Sequence, residues 1–434
     1  MTSPHDSPTD GQATSVLGIP PRPAPPPPLI HHLPHTLTFD PSHPDPASFF
    51  RNVPARWVVY LMTDAEDRPV QLLCVRHLRN SLKRRLGPPD PSIPPSKRVD
   101  YRDLVRHIHY RRVDSDFEAD LVYLAAAREL FPNTYRDLVG FRPTWFLHVD
   151  PDAPFPRYTR TTDLSHPAGV LVGPLEDKQS ASRLIELVES AFDLCRYHNV
   201  LTESPRGKPC AYKEMRRCPA PCDGSISLDQ YRRMVELSCK VLVDPGDTVR
   251  AHETRMRQAA AELKFETAAK IKQYVDELSA LGKGPNRFVR NLADFQFVSL
   301  QPGPPPGPSV KLFLITPGEI TEEAALLPEP ATASPRAHPG ATAPLIRTLL
   351  ERAESRRRPT LDDAAAERIG LVAAHLFRPR NRTNPFIRLA DLDEGTLAHA
   401  YNDIISAKSA LPADATEHDA AVGDEGITRE LQSD

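Results

Sequence analysis

The sequence predicts an α+β protein built from several domains. Its 434 residues are enough for two or three domains. Strand-like apolar runs and segments of helical period alternate along the chain. Proline occurs 48 times, about 11% of the residues and roughly twice the ordinary usage, so several stretches are expected to be linkers or tails.

Composition excludes several classes of protein. The 26% charged and 40% hydrophobic residues are typical of a soluble chain with packed cores. No run of eighteen apolar residues occurs, and the amino terminus lacks a basic region followed by an apolar one, which predicts a cytoplasmic protein without a membrane segment. The formal charge of −3 means that any nucleic-acid binding depends on local basic patches. No glycine-rich phosphate loop is present, so no nucleotide cofactor is expected.

The amino-terminal part divides into a tail and a domain. Residues 1–48 contain a polyproline run and are predicted to be a disordered tail. Residues 49–194 are predicted to form one α/β domain that begins with a hairpin, WVVYLM and VQLLCV. The helix after the hairpin carries bases that are either a solvated face or candidate DNA contacts: Arg79, Lys83, Arg84 and Arg85.

Residues 195–225 hold four cysteines with the spacing C-x14-C-x7-C-x3-C: Cys195, Cys210, Cys218 and Cys222. Thiolates are soft ligands that suit zinc or an iron–sulfur cluster, and a reducing compartment favours metal binding over disulfides. The prolines of CPAPC make a short rigid turn that can aim two sulfurs at one point. The segment is therefore predicted to be a metal centre, with buried free thiols as the alternative.

Residues 226–284 are predicted to be a helix followed by a helical hairpin. Ser227 and Gln230 form a capping box. Two helical runs then follow over residues 246–281 with almost no loop between them, and alanines on both allow close approach. Phe265 at the turn is a candidate anchor for a partner, and ordinary intramolecular packing is the alternative.

The carboxyl-terminal third is predicted to contain little sheet. Residues 285–345 include two strand-like runs and a proline-rich linker, residues 346–410 are helical, and residues 411–434 form a disordered acidic tail. Arginines cluster around the helical segment, and Arg378, Arg380 and Arg382 are candidate DNA contacts, with a solvated helix pair as the alternative.

The order of these motifs resembles the UvrC family, a component of the bacterial excinuclease ABC. The resemblance rests on the four cysteines, CPAPCDG, SLDQYRRMV and the L-x-F-E-x-A-A core of the hairpin, and it covers roughly residues 55–285. It implies that the cysteines bind a 4Fe–4S cluster, with zinc as the second choice. It also implies that the hairpin is a UVR motif that binds the excinuclease component UvrB in nucleotide excision repair. The implied partner-binding residues are Met256, Leu263, Phe265, Glu266, Ala268, Ala269, Ile271 and Lys272.

The first domain resembles a GIY-YIG nuclease, but it is degenerate. Tyr60 keeps the tyrosine of the first signature, whereas the other signature positions fall on Val58, Gln71, Leu73, Cys74 and Ser81. The metal-binding glutamate falls at Tyr123, and Asp120, three residues earlier, is the nearest substitute. Metal-assisted attack on phosphate needs a carboxylate for the metal. We therefore expect neither a catalytic Mg²⁺ nor nuclease activity.

The sequence thus predicts a truncated, non-catalytic UvrC-like repair protein that binds UvrB, with DNA as a candidate second ligand. The family's carboxyl-terminal nuclease and helix-hairpin-helix domains are expected to be missing. Two alternatives stay open. One is an active GIY-YIG endonuclease with atypical site residues. The other is a UVR-motif adaptor outside DNA repair, similar to activators of protein-arginine kinases, although these lack a GIY-YIG-like segment.

Overall fold

A computed structural model describes residues 31–88, 100–166, 168–304, 309–326, 339–356, 361–378 and 385–409. These residues form three antiparallel sheets of four strands each, with helices packed against them. The mixed helix and sheet composition predicted from the sequence is confirmed. Within the described ranges, no helix combines the length and the apolar character needed to cross a membrane.

The first sheet has the order β1-β4-β2-β3. Its strands are β1 (His35–Thr38), β2 (Val58–Thr63), β3 (Pro69–Val75) and β4 (His107–Arg112). The predicted hairpin is present as β2 and β3. The predicted tail over residues 1–48 is wrong in its second part, because β1 pairs with β4 and buries Leu33 and Phe39 beside it. Residues 1–30 lie outside the described part of the chain.

Helices cover both faces of this sheet. They are α1 (Pro46–Asn52), α2 (Leu78–Leu86), α3 (Asp116–Leu130) and the short α4 (Tyr135–Leu138). Side chains alternate between the two faces along each strand. Tyr60 and Met62 of β2 therefore pack in one core with Leu78 and Leu82 of α2. Val59 and Leu61, which point to the opposite face, pack with α3.

The second sheet has the order β6-β5-β7-β8. Its strands are β5 (Trp145–Val149), β6 (Thr159–Thr161), β7 (Val170–Leu175) and β8 (Arg290–Asn291). The helices of this unit are α5 (Lys178–Ala191), α6 (His198–Leu201), α7 (Ala211–Glu214), α8 (Leu228–Val243), α9 (Gly246–Ala261) and α10 (Phe265–Leu281). Ser227 and Gln230 form the predicted capping box at the start of α8.

The second sheet corrects the predicted domain over residues 49–194. Strands β5 to β7 do not join the first sheet; they pair instead with β8, more than a hundred residues downstream. Their core is shared with α5, α8 and α10 through residues such as Leu147, Leu184 and Leu278. The second half of the predicted domain therefore belongs with the cysteine segment and the helical hairpin.

The third sheet has the order β11-β10-β9-β12. Its strands are β9 (Phe297–Pro302), β10 (Val310–Thr316), β11 (Glu319–Leu326) and β12 (Phe386–Arg388). Its helices are α11 (Pro339–Ser355), α12 (Asp363–Phe377) and α13 (Glu394–Ser409). The predicted division into vestigial strands and a purely helical segment is wrong, because β12 completes the sheet from within the predicted helical segment. Residues 327–338 and 410–434 lie outside the described part of the chain.

The first and third units share one apolar core. Phe117 of α3 is fully buried and meets Phe313 of β10 edge to face at 5.5 Å between ring centroids and Phe386 of β12 at 5.3 Å. Edge-to-face aromatic pairs add about 0.5–1.5 kcal/mol each to the stabilisation from burial. Ile369 and Val372 of α12 close the same core. Helix α3 is thus enclosed between the first sheet and the third unit.

A buried ion pair fixes α3 against the third sheet. The Nζ of Lys311 on β10 lies 2.7 Å from a carboxylate oxygen of Glu118 and 2.9 Å from one of Asp114. The Glu118 side chain is only 3% exposed, and its burial raises the pKa of the carboxyl although Lys311 lowers it. Burial opposes the charge on Lys311 as well, but Glu118 and Asp114 raise the pKa of its ammonium group. Each partner therefore depends on the other for its charge.

We expect Lys311→Met to destabilise the protein by about 3–5 kcal/mol, because the change leaves buried carboxylates without a cation. The measurement is the free energy of unfolding from urea titration. Lys240→Met is the matched control, since the ion pair of Lys240 with Glu236 is largely exposed and is worth about 0–1 kcal/mol. Equal effects of the two substitutions would contradict the structural role of Lys311.

Candidate functional site

Tyr60, which matches the nuclease signature, lies inside an apolar core. Its side chain is 0% exposed, and burial raises the pKa of its hydroxyl group. The hydroxyl oxygen is 2.9 Å from Oγ of Ser81 on α2, which also accepts a hydrogen bond from Arg85 at 2.9 Å. Phe50, Leu78 and Leu82 pack in the same core. The tyrosine is therefore held as a buried structural residue.

The carboxylates of α3 face the third unit. Asp120, considered as a substitute metal ligand, accepts hydrogen bonds from Nε2 of His375 at 2.9 Å and from Arg378 at 3.2 Å. Glu118, on another face of the helix, binds Lys311. Tyr123, at the position of the expected glutamate, is buried. Glu118 and Asp120 are thus both bound by side chains of the third unit.

The predicted DNA-contacting bases differ in their surroundings. Arg79 donates from Nε to the carbonyl of Val53 at 2.9 Å, and it thereby provides a hydrogen-bond partner for a carbonyl at the end of α1. Lys83 and Arg84 are exposed in the last turn of α2, where cations are stabilised by the helix dipole. Arg378 is half exposed and binds Asp120. Arg380 and Arg382 lie outside the described residues.

Three of the four predicted cysteine ligands interact with one another. Cys195 and Cys218 are hydrogen-bonded, and this bond lowers the pKa of Cys218, with a further contribution from the Arg196 guanidinium. The same bond, together with burial, raises the pKa of Cys195. The charge of Cys222 couples to both thiols, whose own side chains are largely buried between α5 and α8.

The loop that carries the cysteines has a fixed backbone. The amide of Gly207 donates to the carbonyl of Cys222 at 2.8 Å, a contact so close that a Cβ at this position would lie 3.0 Å from that oxygen. Ala220, inside CPAPC, has a φ of 56°, a left-handed conformation that costs about 1–3 kcal/mol for a residue other than glycine. Cys210 is half-buried at the amino end of α7.

No three of the four cysteine sulfurs, all of which lie in the described residues, are within 4.8 Å of one another. Tetrahedral zinc holds its sulfurs within about 4 Å of one another, since each Zn–S bond is about 2.3 Å. In the described chain, three ligand atoms lie within 4.8 Å of one another only at Asp67, His107 and His109.

The helical hairpin of α9 and α10 has an anchored base and an exposed tip. At the base, Val275, Leu278 and Leu281 are buried, and the latter two pack in the core of the second unit. Nearer the tip, Ala268 and Ile271 are half-buried. At the tip itself, Leu263 is 73% and Phe265 65% exposed. The predicted partner-binding positions therefore project from the domain.

The turn between the two helices is a Schellman motif. The amide of Lys264 donates to the carbonyl of Ala259 at 2.9 Å, and that of Leu263 donates to Ala260 at 3.0 Å. Leu263 takes the left-handed position of this motif, with a φ of 57°, where glycine is usual. An exposed leucine in that conformation lowers stability.

One cluster of three side chains is not among the site residues predicted from the sequence. Asp67, in the turn between β2 and β3, meets His107 and His109 of β4. The H-x-H pattern of His107 and His109 places two imidazoles on one face of a strand, and this pattern could have indicated the cluster. Asp67 lies 40 residues before His107, and no local pattern links the two positions.

Comparison with known proteins agrees with the architecture of the second unit. Residues 144–240 match the family model for the UvrC/Cho excinuclease middle domain, which begins where the second sheet begins. The chain is thus an α+β protein with a segment that is similar to the middle domain of UvrC/Cho excinucleases. No solved structure matches the chain.

Curated relatives extend the similarity over about half the chain. UvrABC system protein C of Trichlorobacter lovleyi is 27% identical over 224 residues, which is 51% of this chain and 36% of the relative. The proteins of the same name from a Geobacter species and from Syntrophomonas wolfei are 24% and 26% identical, over 54% of this chain and 35% and 38% of the relatives. The chain is thus similar to UvrABC system proteins C over about half its length, and it spans little more than a third of the length of these relatives.

Proposed function

We propose that this protein is a non-catalytic component of UvrABC-type nucleotide excision repair that binds UvrB through the tip of its helical hairpin. The exposed pair Leu263 and Phe265, on a hairpin whose base is buried, is the observation that carries the proposal. Exposed aromatic residues on a rigid support are typical binding hot spots. The names of the relatives support the UvrABC system as the setting of this surface.

The proposed partner surface consists of one face of the hairpin tip. Met256 and Ile271 are half-buried and border the exposed Leu263 and Phe265. Lys272 and Glu266 are exposed charges beside these apolar groups and would set the register of the complex. A similar hairpin of UvrB would cover the apolar residues and pair with the charges.

The lack of catalysis is proposed from three observations. Tyr60 is buried, Asp120 is paired with His375 and Arg378, and Glu118 is paired with Lys311. A metal-dependent nuclease needs a carboxylate that is open to the ion and to the phosphate. Exposed Lys83 and Arg84 supply a basic surface that would contact DNA without cutting it.

The four-cysteine loop would hold a 4Fe–4S cluster on Cys195, Cys210, Cys218 and Cys222. The soft thiolate donors of the four cysteines and the fixed backbone around Cys222 support this assignment, with zinc as the second choice. When bound, such a cluster supplies iron–thiolate bonds that tie the loop to the core between α5 and α8. The proposed setting of the complete protein is the cytoplasm.

Phe265→Ala is expected to weaken binding to UvrB at least tenfold, because a hot-spot side chain contributes 2 kcal/mol or more. The measurement is the dissociation constant by calorimetry with purified full-length proteins. Leu237→Ala is the matched control, since Leu237 is an exposed apolar residue on the neighbouring helix α8. Equal affinities of the native protein and the Phe265→Ala variant, or no binding at all, would contradict the proposed docking surface.

No incision is expected when the protein is incubated with damaged DNA loaded with UvrB in the presence of Mg²⁺ or Mn²⁺. Denaturing electrophoresis of end-labelled DNA provides the readout. Any nick that disappears in Asp120→Asn or Tyr60→Phe would support the active-endonuclease alternative. A nick that survives both changes would indicate a contaminating nuclease.

Anaerobically purified protein is expected to be brown, with absorption at about 400 nm from iron–sulfur charge transfer. Cys222→Ser is expected to lower both the absorption and the iron content, because it removes one thiolate ligand. Cys74→Ser is the control, since Cys74 lies in the first sheet beside Trp57. A colourless protein that contains zinc at the cysteines would favour the second choice of metal.

A further inference from the structure

Two imidazoles and one carboxylate meet at the end of the first sheet. Oδ1 of Asp67 lies 2.7 Å from Nδ1 of His107 and 3.3 Å from Nε2 of His109. The three ligand atoms are all within 4.8 Å of one another. Two ligands of a tetrahedral zinc ion are about 3.3 Å apart when each bond is about 2.0–2.1 Å. The spacing of the three groups is therefore close to that of a metal site.

The groups are held in place by residues around them. Oγ1 of Thr36 on β1 is 3.1 Å from Nδ1 of His109, which leaves Nε2 of that ring directed at Asp67. Hydrogen bonding of the second ring nitrogen is the usual way in which a metal-binding histidine is oriented. Thr63 on β2 donates to Oδ1 of Asp67 at 3.2 Å. The backbone of Asp67 has a φ of 56° in the turn.

We propose that Asp67, His107 and His109 bind a zinc ion. The ligands are Oδ1 of Asp67, Nδ1 of His107 and Nε2 of His109, and water takes the fourth position. Neutral imidazole and carboxylate are ligands that zinc prefers. The Asp67 side chain is 60% exposed and those of the histidines 28% and 17%, so the ion has a path from solvent.

The zinc ion would tie all four strands of the first sheet together. Asp67 lies in the β2–β3 turn, the histidines on β4, and Thr36 on β1 supports His109. The site is separate from Tyr60 of the nuclease signature. His107 and His109 pair with Thr63 and Leu61, whereas Tyr60 pairs with Tyr110, so the tyrosine lies on the opposite face. The proposed role is therefore structural and is independent of UvrB.

The test is metal binding by the full-length protein after removal of adventitious ions with a chelator. Native protein is expected to bind one equivalent of zinc that the double variant His107→Ala/His109→Ala does not bind. Asp67→Asn is expected to weaken binding at least tenfold while keeping the size of the side chain. His399→Ala, which removes a histidine exposed on α13, is expected to bind like the native protein.

Cobalt distinguishes this site from the cysteines. Cobalt bound by nitrogen and oxygen ligands lacks the near-ultraviolet thiolate-to-cobalt charge-transfer band, so the equivalent lost in the double variant is expected to carry none. Circular dichroism and thermal unfolding in chelator establish that the variants are folded. Absence of a zinc equivalent in the native protein, equal binding by the folded double variant, or a thiolate band on the lost equivalent would each overturn the proposal.

Discussion

The buried contact between Lys311 and Glu118 determines how the first and third units are arranged. Charges in an apolar surrounding are stable only as a pair, so β10 must lie against α3 for either residue to remain ionised. The rings of Phe117, Phe313 and Phe386 close around this contact. With α3 fixed in this way, Asp120 is within reach of His375 and Arg378. The position of this helix therefore decides the environment of Glu118 and Asp120.

In the helical hairpin, by contrast, the buried residues that stabilise the fold and the exposed apolar residues lie at opposite ends. Its base is stabilised by burial of Leu278 and Leu281, which is sufficient to hold two helices against the domain. Its tip contributes little to folding, because Leu263 and Phe265 are exposed and Leu263 adopts a left-handed backbone. In the proposed complex with UvrB, a substitution at the tip can therefore change the affinity without unfolding the domain.

The sequence predicts elements whose signal is local. The β2–β3 hairpin, the capping box of Ser227 and the two helices of the hairpin are each visible within a short window, and the structure contains them. Strands of two to four residues, such as β1, β8 and β12, are too short to show an alternating pattern. They form because distant partners offer unpaired backbone groups. Lys311 and Glu118 are 193 residues apart, and no local pattern connects them.

The same contacts show that a nuclease site and a docking surface require different structures. A nuclease site must stay open to water, metal and phosphate, so its carboxylates cannot be neutralised by permanent cations. In the described structure, Glu118 is paired with Lys311, Asp120 is paired with Arg378 and hydrogen-bonded to His375, and Tyr60 lies across the sheet in a separate core. Restoring an open site would require α3 to separate from the third unit and expose Phe117. A docking hairpin needs no such opening, since Leu263 and Phe265 are already at the surface.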